Sequence, residues 1–281
     1  MNFLLPLAAA VLQAGSFTLD KVALSARGMT FRSYIGVSFP LIALITLAIF
    51  LVVRPPIDPG LLVGMPLALL AVSIALTIII NLIFYRALDD DRLSELETIG
   101  LLQTFPVIIL SSLVFADERN VAVITAAFVA ALAIFWSHWE GRHFRMARHT
   151  VPFFLSAICL APVGTLVARQ LLTLWHPVAL ELVRSTVLAL IFGFLFSRYT
   201  ARVRLNTWLL LIGTNTLTSV AWLLYYFSYQ RSGIIYTILL FSIHPLLVYF
   251  SSVFFLKEPL QWKKLAAFVV VLAAIVTAQI V

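Results

Sequence analysis

Ten apolar runs of membrane-spanning length constrain the fold of this 281-residue chain more than any other feature. A helix needs ~20 apolar residues to cross a bilayer, so ten helices would take ~200 residues and leave about 80 for loops. The runs are continuously apolar rather than alternating, which favours helices over a barrel. We therefore expect an all-α integral membrane protein with ten transmembrane helices. The predicted helices cover residues 3–20, 33–53, 62–86, 96–115, 120–138, 152–172, 178–198, 206–228, 234–255 and 264–280.

These runs form two similar halves of five, predicted as repeats over residues 1–143 and 148–281. Lys21 corresponds to Arg169 at a separation of 148 residues. Three further pairs are 139 residues apart: Arg92 and Arg231, Thr98 and Thr237, Pro106 and Pro245. Because five crossings bring the chain to the opposite face, the second half is expected to be inverted relative to the first. Inverted repeats recur in secondary transporters, with a binding site where the halves meet. The pattern predicts two inverted five-helix repeats around a central cavity.

Composition and charge agree with this membrane fold. The chain is 62% hydrophobic and 11% charged, whereas a soluble domain has roughly 25% charged residues. The predicted topology places 14 of the 19 Lys and Arg residues on one face and 4 on the other, with Arg184 inside a span. The positive-inside rule then puts the richer face in the cytoplasm and both termini outside. The bilayer is therefore the expected partner, and the basic charge needs no nucleic acid to explain it.

The sequence contains no motif of an enzyme, a nucleotide-binding loop or a metal site. The single cysteine, Cys159, excludes an intramolecular disulfide and falls inside an apolar run, where it is expected to be structural. We predict a protein that is not an enzyme and has no cofactor or metal. Since the chain cannot hydrolyse ATP, any uphill transport would need a gradient or a partner, and proton coupling is one option.

Polar residues inside the runs are the candidates for contact with a solute. Polar groups are costly at membrane depth and usually face a cavity or another helix. We predict that seven such residues bind a small organic solute: Asn81, Tyr85, Gln103, Asn215, Trp222, Tyr226 and His244. The alternative is structural, because amides and hydroxyls also bridge membrane helices and aromatic residues also lie at the interface with water.

A second set of residues is predicted to act in coupling or gating. Lys21, Arg169 and Glu97 are charged residues near helix ends, and Glu97 has a simpler interpretation as part of a helix N-terminus. Pro106 and Pro245 occupy matched positions and are expected to bend their helices, either as hinges or as static kinks. Glu181 and Arg184 are three residues apart and are expected to form a structural ion pair.

Several short motifs together resemble a known family. They are Lys21 at the end of the first run, Phe-Tyr-Arg-Ala-Leu at 84–88, Pro106, Arg184, and Phe-Phe-Leu-Lys-Glu-Pro-Leu at 254–260. Their order is similar to that of the EamA-like family of the drug/metabolite transporter superfamily, over nearly the whole chain. The resemblance implies two inverted five-helix bundles and movement of metabolites, usually outward. Lys21 and Arg184 match recurring basic positions of that family.

The leading hypothesis is a secondary transporter that exports a small metabolite, an amino-acid-like solute or a drug by alternating access. We expect a multi-pass protein of a bacterial inner membrane. The alternatives are a non-transporting lipid-binding or assembly component and, less favoured, an intramembrane enzyme. Relatives in the superfamily commonly keep both termini in the cytoplasm, contrary to the charge count, so both orientations stay open. The solute, the direction, the coupling ion and the oligomeric state also stay open.

Overall fold

Helices make up nearly all of the chain in a computed structural model. The structure describes residues 3–26, 28–90, 103–139, 150–200, 205–256 and 262–280, together with Leu93, Leu96 and Gly100. Most of the main helices follow the predicted runs, but the fourth is described over a shorter range than predicted and the ninth is interrupted. They are α1 Leu4–Leu24, α2 Phe31–Val53, α3 Gly64–Asp90, α4 Thr104–Val114, α5 Val121–His138, α6 Val151–Leu172, α7 Pro177–Leu195, α8 Leu205–Ser232, α9a Ile234–Phe241, α9b His244–Leu256 and α10 Trp262–Ile280.

Local sequence explains several helix ends. Thr30 and Ser33 form a reciprocal capping box at the start of α2. This helix ends at Arg54 in the left-handed conformation, at φ 49°, and two prolines follow. Asn120 accepts hydrogen bonds from two backbone amides at the start of α5. His176 caps α7, and Pro177 occupies its first turn.

Much of this helical surface is suited to lipid. Within the described residues, seven helices are long and apolar enough to span a membrane: Leu4–Leu24, Phe31–Val53, Gly64–Asp89, Val151–Leu172, Pro177–Leu195, Thr207–Ser232 and Ile234–Phe255. Shorter apolar helices cover Thr104–Val114, Val121–Ala133 and Leu265–Ala274. Large apolar side chains such as Phe194, Leu209 and Phe254 are strongly exposed, and Cys159 is exposed as well. An apolar surface of this extent is expected to face lipid.

Helix α1 lies inside the bundle and packs closely against α8 and α9b. Ala9, Ala10 and Ala14 are buried at its contacts, and their small side chains let the backbones approach. Gly15 also faces α8, because a Cβ built on it would lie 3.5 Å from Leu217, in ordinary van der Waals contact. The contacts of α1 thereby join the first part of the chain to the last.

Two helices are interrupted beside the centre of the bundle. The path of α9 breaks at Ser242 and Ile243, between α9a and α9b, directly before Pro245. Helix α6 contains a π-helical turn at Ser156–Leu160, followed by Pro162. Such irregularities free backbone groups from the regular helical ladder and often lie at functional sites.

Candidate functional site

A cavity of about 350 Å³ lies between the helices. Its walls come from both halves of the sequence: α1, α2, α3 and α4 in the first half, and α6, α7, α8 and α9 in the second. Leu96 and Gly100 add to the wall ahead of α4. A cavity of this size fits a small organic molecule.

Arg184 on α7 forms the polar pole of the cavity. Its guanidinium donates hydrogen bonds to the Tyr226 hydroxyl and, at 2.8 Å, to Thr77 Oγ1. Glu181, one turn earlier, places Oε2 3.6 Å from Arg184 Nη1. The Nε–H of Arg184 is buried and has no hydrogen-bond partner among the described residues. The arrangement places a cation, a carboxylate and one unused donor in the wall of an apolar pocket.

Helices α8 and α9 contribute an aromatic wall. Trp222 contacts Tyr225 and Tyr226, each with ring centroids 5.6 Å apart. Tyr225 packs on Phe241 at 4.6 Å, and Phe241 stacks on His244 at 5.1 Å. Aromatic faces bind apolar groups and also attract cations. The cavity is therefore amphipathic, with the ion pair beside these rings.

Most of the predicted contact residues are brought together here. Asn81, Tyr85, Gln103, Trp222, Tyr226 and His244 all line the cavity. Asn81 also donates to Thr77 O of its own helix at 2.8 Å. Asn215 does not line the cavity, because it is buried between α8 and α2 and donates to Ser38 Oγ at 3.2 Å. Their roles in binding stay predictions.

Of the described residues predicted for coupling or gating, Pro245 lines the cavity, whereas Lys21, Arg169 and Pro106 do not. Lys21 donates to Leu88 O at 2.7 Å and joins α1 to α3. Arg169 on α6 forms an ion pair of 3.1 Å with Asp117 in the turn after α4. Pro106 is in the first turn of the described part of α4. Glu97 lies outside the described residues.

Sequence reasoning missed Asp20. It is fully buried near the end of α1 and accepts hydrogen bonds from Tyr34 on α2 and Thr214 on α8. In the sequence, Asp20 and Lys21 follow an apolar run and read as a helix boundary. The available signal was a polar residue in each of two other apolar runs, Tyr34 and Thr214. A single sequence does not indicate which helices are neighbours, so it does not connect these residues with Asp20.

Comparison with known proteins identifies the second part of the chain. Residues 150–278 match the profile of the EamA-like transporter family, a segment that includes Glu181, Arg184 and the aromatic wall. This segment is similar to the EamA-like transporter family. The resemblance predicted from the sequence is thereby confirmed, through a segment somewhat shorter than half of the chain.

The fold also has a solved counterpart. One crystal structure, described simply as that of a protein, superposes with a TM-score of 0.75 at 13% identity. The match covers 99% of this chain and 96% of that chain, and at this identity it concerns the fold alone. A search of the curated proteins finds no match. The match of this segment and the apolar helices together support a multi-pass integral membrane protein.

Proposed function

We propose that this protein is a secondary transporter that moves a small amphipathic organic solute by alternating access. The central cavity carries the proposal, because residues from both halves enclose one volume with a polar pole and an aromatic wall. A transporter of this kind binds its solute near the middle of the membrane between two repeats.

Helix packing supports a pair of related halves. Exchanging each helix for the one five places along maps many contacts onto other contacts. Helix α2 packs against its counterpart α7, α4 against α9a, and α5 against α10. The contact of α1 with α8 is matched by that of α6 with α3, and α1 with α9 by α6 with α4. This exchange symmetry is the pattern that two inverted five-helix repeats produce.

Two polar clusters at separate levels of α8 are suited to act as gates. Thr214 contacts Asp20, beside Lys21, whereas Gln230 donates to Leu172 O of α6 at 2.8 Å, near Arg169. Thr214 and Gln230 are sixteen residues apart. At 1.5 Å per residue they are separated by about 24 Å, most of the thickness of a bilayer core. Opening the Lys21 end and the Arg169 end in turn would expose the cavity to each side.

The polar pole favours a zwitterionic, amino-acid-like solute with an apolar side chain. Arg184 can bind a carboxylate and Glu181 an ammonium group, while Trp222 and Phe241 cover the apolar part. Export rather than import, and location in a bacterial inner membrane, are part of the proposal and rest on the family resemblance alone. Coupling to protons is part of the proposal, since the chain carries no nucleotide-binding motif.

The alternative function is a non-transporting lipid-binding or assembly component. Such a component is expected to bury its polar residues in helix contacts, as Asn215 does. The position of Asn81, Gln103 and Arg184 in the wall of a cavity favours transport instead.

Flux in proteoliposomes tests the proposal. Proteoliposomes that contain the purified protein are loaded with unlabelled solute. Counterflow is then measured with radiolabelled L-phenylalanine, phenethylamine and 3-phenylpropionate. We expect the zwitterion to exchange faster than the amine or the acid, because it alone has a partner for both Arg184 and Glu181. Equal rates for all three compounds would contradict the zwitterion assignment. Absence of counterflow for these and a wider panel of amino acids and organic cations would contradict transport.

A further inference from the structure

Asp20 is an acidic group buried at the contact between helices from the two halves. Its side chain has no solvent exposure, and Oδ1 accepts hydrogen bonds from the Tyr34 hydroxyl and Thr214 Oγ1. The second oxygen, Oδ2, is buried and has no hydrogen-bond partner in the described part of the chain. A carboxylate with one oxygen unsatisfied in an apolar interior is costly, and taking up a proton removes its charge.

The groups around Asp20 do not neutralise the charge of its carboxylate. The titratable groups that face it are the phenols of Tyr34 on α2 and Tyr85 on α3, and both are buried. Helix α8 presents the neutral hydroxyl of Thr214. The adjacent Lys21 directs Nζ to Leu88 O at 2.7 Å, and Asp20 forms no ion pair with any residue that the structure describes. Protonation is therefore the available means of neutralising this carboxylate.

A chain of hydroxyl groups connects Asp20 to the cavity. Thr214 Oγ1 lies 3.0 Å from Ser16 Oγ, and Ser16 Oγ is in turn hydrogen-bonded to Thr218 Oγ1. Thr218 lines the cavity. A hydroxyl donates one hydrogen bond while accepting others, so adjacent hydroxyls can pass protons along the chain. Ser16, Thr214 and Thr218 form one continuous path, referred to here as the hydroxyl relay.

We propose that Asp20 is the proton-binding residue of this protein and that the hydroxyl relay delivers its proton from the cavity. A proton from cavity water binds the Thr218 oxygen, and the original proton of Thr218 moves to Ser16. Ser16 then passes its own proton to Thr214, and Thr214 passes its own to Asp20 Oδ1. Each hydroxyl ends neutral with one proton, and the carboxylate becomes a neutral carboxylic acid. Proton release runs through the same steps in reverse.

The position of Asp20 links its protonation to movement. Its two hydrogen-bond donors are on α2 and α8, while Asp20 itself is on α1, so the carboxylate holds three helices together. Neutralising it weakens both charge-assisted hydrogen bonds at once. The proton is thereby linked to the packing of α1 against α8, at the Lys21 end of the cavity. This role rests on the proposed transport function, whereas proton binding by Asp20 can be measured without transport.

Infrared spectroscopy of the purified protein tests proton binding directly. We expect the wild-type protein to show a carboxylic-acid carbonyl band that grows as pH falls and shifts in heavy water. Asp20→Asn, which keeps the shape of the side chain, is expected to lack this band. Loss of the band in Glu181→Gln with retention in Asp20→Asn would overturn the assignment to Asp20, as would the absence of any band that titrates.

The relay is tested by the rate at which the same band shifts after transfer to heavy water. Ser16→Ala removes one hydroxyl and keeps Asp20, so we expect exchange to slow by about tenfold or more. Ser25→Ala is the matched control, because Ser25 is an exposed serine on the same segment that bonds to Lys21 O. Exchange in Ser16→Ala as fast as in Ser25→Ala would exclude the relay. This comparison does not require Asp20→Asn to fold.

Transport then separates this proposal from the proposed function. In proteoliposomes, a pH gradient is expected to drive accumulation of L-phenylalanine by the wild type, while Asp20→Asn loses the response to the gradient. Equal accumulation by both proteins would overturn the role of Asp20 in coupling. If the wild-type protein shows no counterflow while the carboxylic-acid infrared band of Asp20 still titrates, transport is contradicted and proton binding is established.

Discussion

Arg184 carries a positive charge within an apolar bundle, where an arginine costs about 2.5–3.5 kcal/mol on insertion scales. Its partners offset this cost: Glu181 lies 3.6 Å away, and Tyr226 and Thr77 accept hydrogen bonds. Because the side chain is only slightly exposed, the pair is weakly screened by solvent. The same cluster can therefore stabilise the fold and bind a solute.

Loss of Arg184 is expected to destabilise the protein strongly. Arg184→Gln leaves Glu181 buried without a cation, so we expect the free energy of unfolding to fall by about 3 kcal/mol. The double variant Glu181→Gln with Arg184→Gln should be more stable than Arg184→Gln alone. Thermal unfolding in detergent, followed by circular dichroism, measures both. Arg54→Gln, at an exposed arginine that bonds to its own helix, is the control and should keep the wild-type Tm. A double variant less stable than the single one would show that the pair is not coupled.

Trp222 is the most exposed of the described aromatic residues that line the cavity, with 39% of its surface exposed. If it covers the apolar part of the solute, Trp222→Ala should raise KM for L-phenylalanine counterflow by up to about tenfold, since aromatic pairs contribute roughly 0.5–1.5 kcal/mol beyond area burial. Trp262→Ala is the matched control, because Trp262 is an exposed residue on α10 away from the cavity. An unchanged KM in Trp222→Ala would remove this residue from the site.

At the scale of elements, the start of α9a depends on a contact from the other half of the chain. Glu118 accepts hydrogen bonds from the backbone amides of Ile234 at 2.5 Å and Ile235 at 3.0 Å. A carboxylate at a helix N-terminus satisfies free amides and interacts favourably with the helix dipole. Arg169 lies 3.9 Å from the same carboxylate. One glutamate thus joins α6, the turn after α4 and the start of α9.

Gly233 makes that contact possible. Its φ is +83°, and a Cβ would lie 2.6 Å from Glu118 Oε1. We expect Gly233→Ala to lower the free energy of unfolding by about 2 kcal/mol, through backbone strain and loss of the cap. Gly213→Ala within α8 is the control: nothing lies within 4 Å of its Cβ position, so it should be neutral or slightly stabilising. Equal Tm values for the two variants would contradict this account.

The interruption of α9 lies in the cavity wall and is suited to a conformational change. Between α9a and α9b the chain turns at Ser242 and Ile243, and His244 and Pro245 follow in the cavity wall. Proline lacks the amide that would continue the helical ladder, which explains the break. Whether Pro106 and Pro245 act as hinges stays a prediction. A solute in the cavity would contact Pro245, beside the break in α9, directly.

At the scale of the whole molecule, inversion of the halves makes a simple prediction. Ser25 and Thr173 are both exposed just after α1 and α6, and they are 148 residues apart, like Lys21 and Arg169. Single cysteines at these positions, with Cys159 replaced by Ser, should react with a membrane-impermeant maleimide from opposite sides. Labelling in right-side-out and inside-out vesicles measures this. Reaction of both from the same side would contradict inverted repeats, and the side of Ser25 decides between the two orientations.

Residues on a single helix show how far the site could be predicted. Asn215 and Trp222 belong to one polar stripe of α8, and the sequence predicted both as contacts of the solute. Trp222 lines the cavity, whereas Asn215 lies outside the cavity lining and packs against Ser38. Helical spacing defines which residues share a face. Which part of that face is covered by a neighbouring helix, and which part is open to the cavity, depends on tertiary packing.

The sequence by itself determined the membrane class, the positions of most helices and the resemblance to the EamA-like family, because apolar length and the spacing of motifs are properties of the chain alone. Only the tertiary structure decided which polar residues meet. Asp20, Ser16 and Thr214 come together because α1 packs against α8, nearly 200 residues away. Such contacts depend on the rotation and pairing of whole helices, which small residues such as Gly15 permit but do not specify.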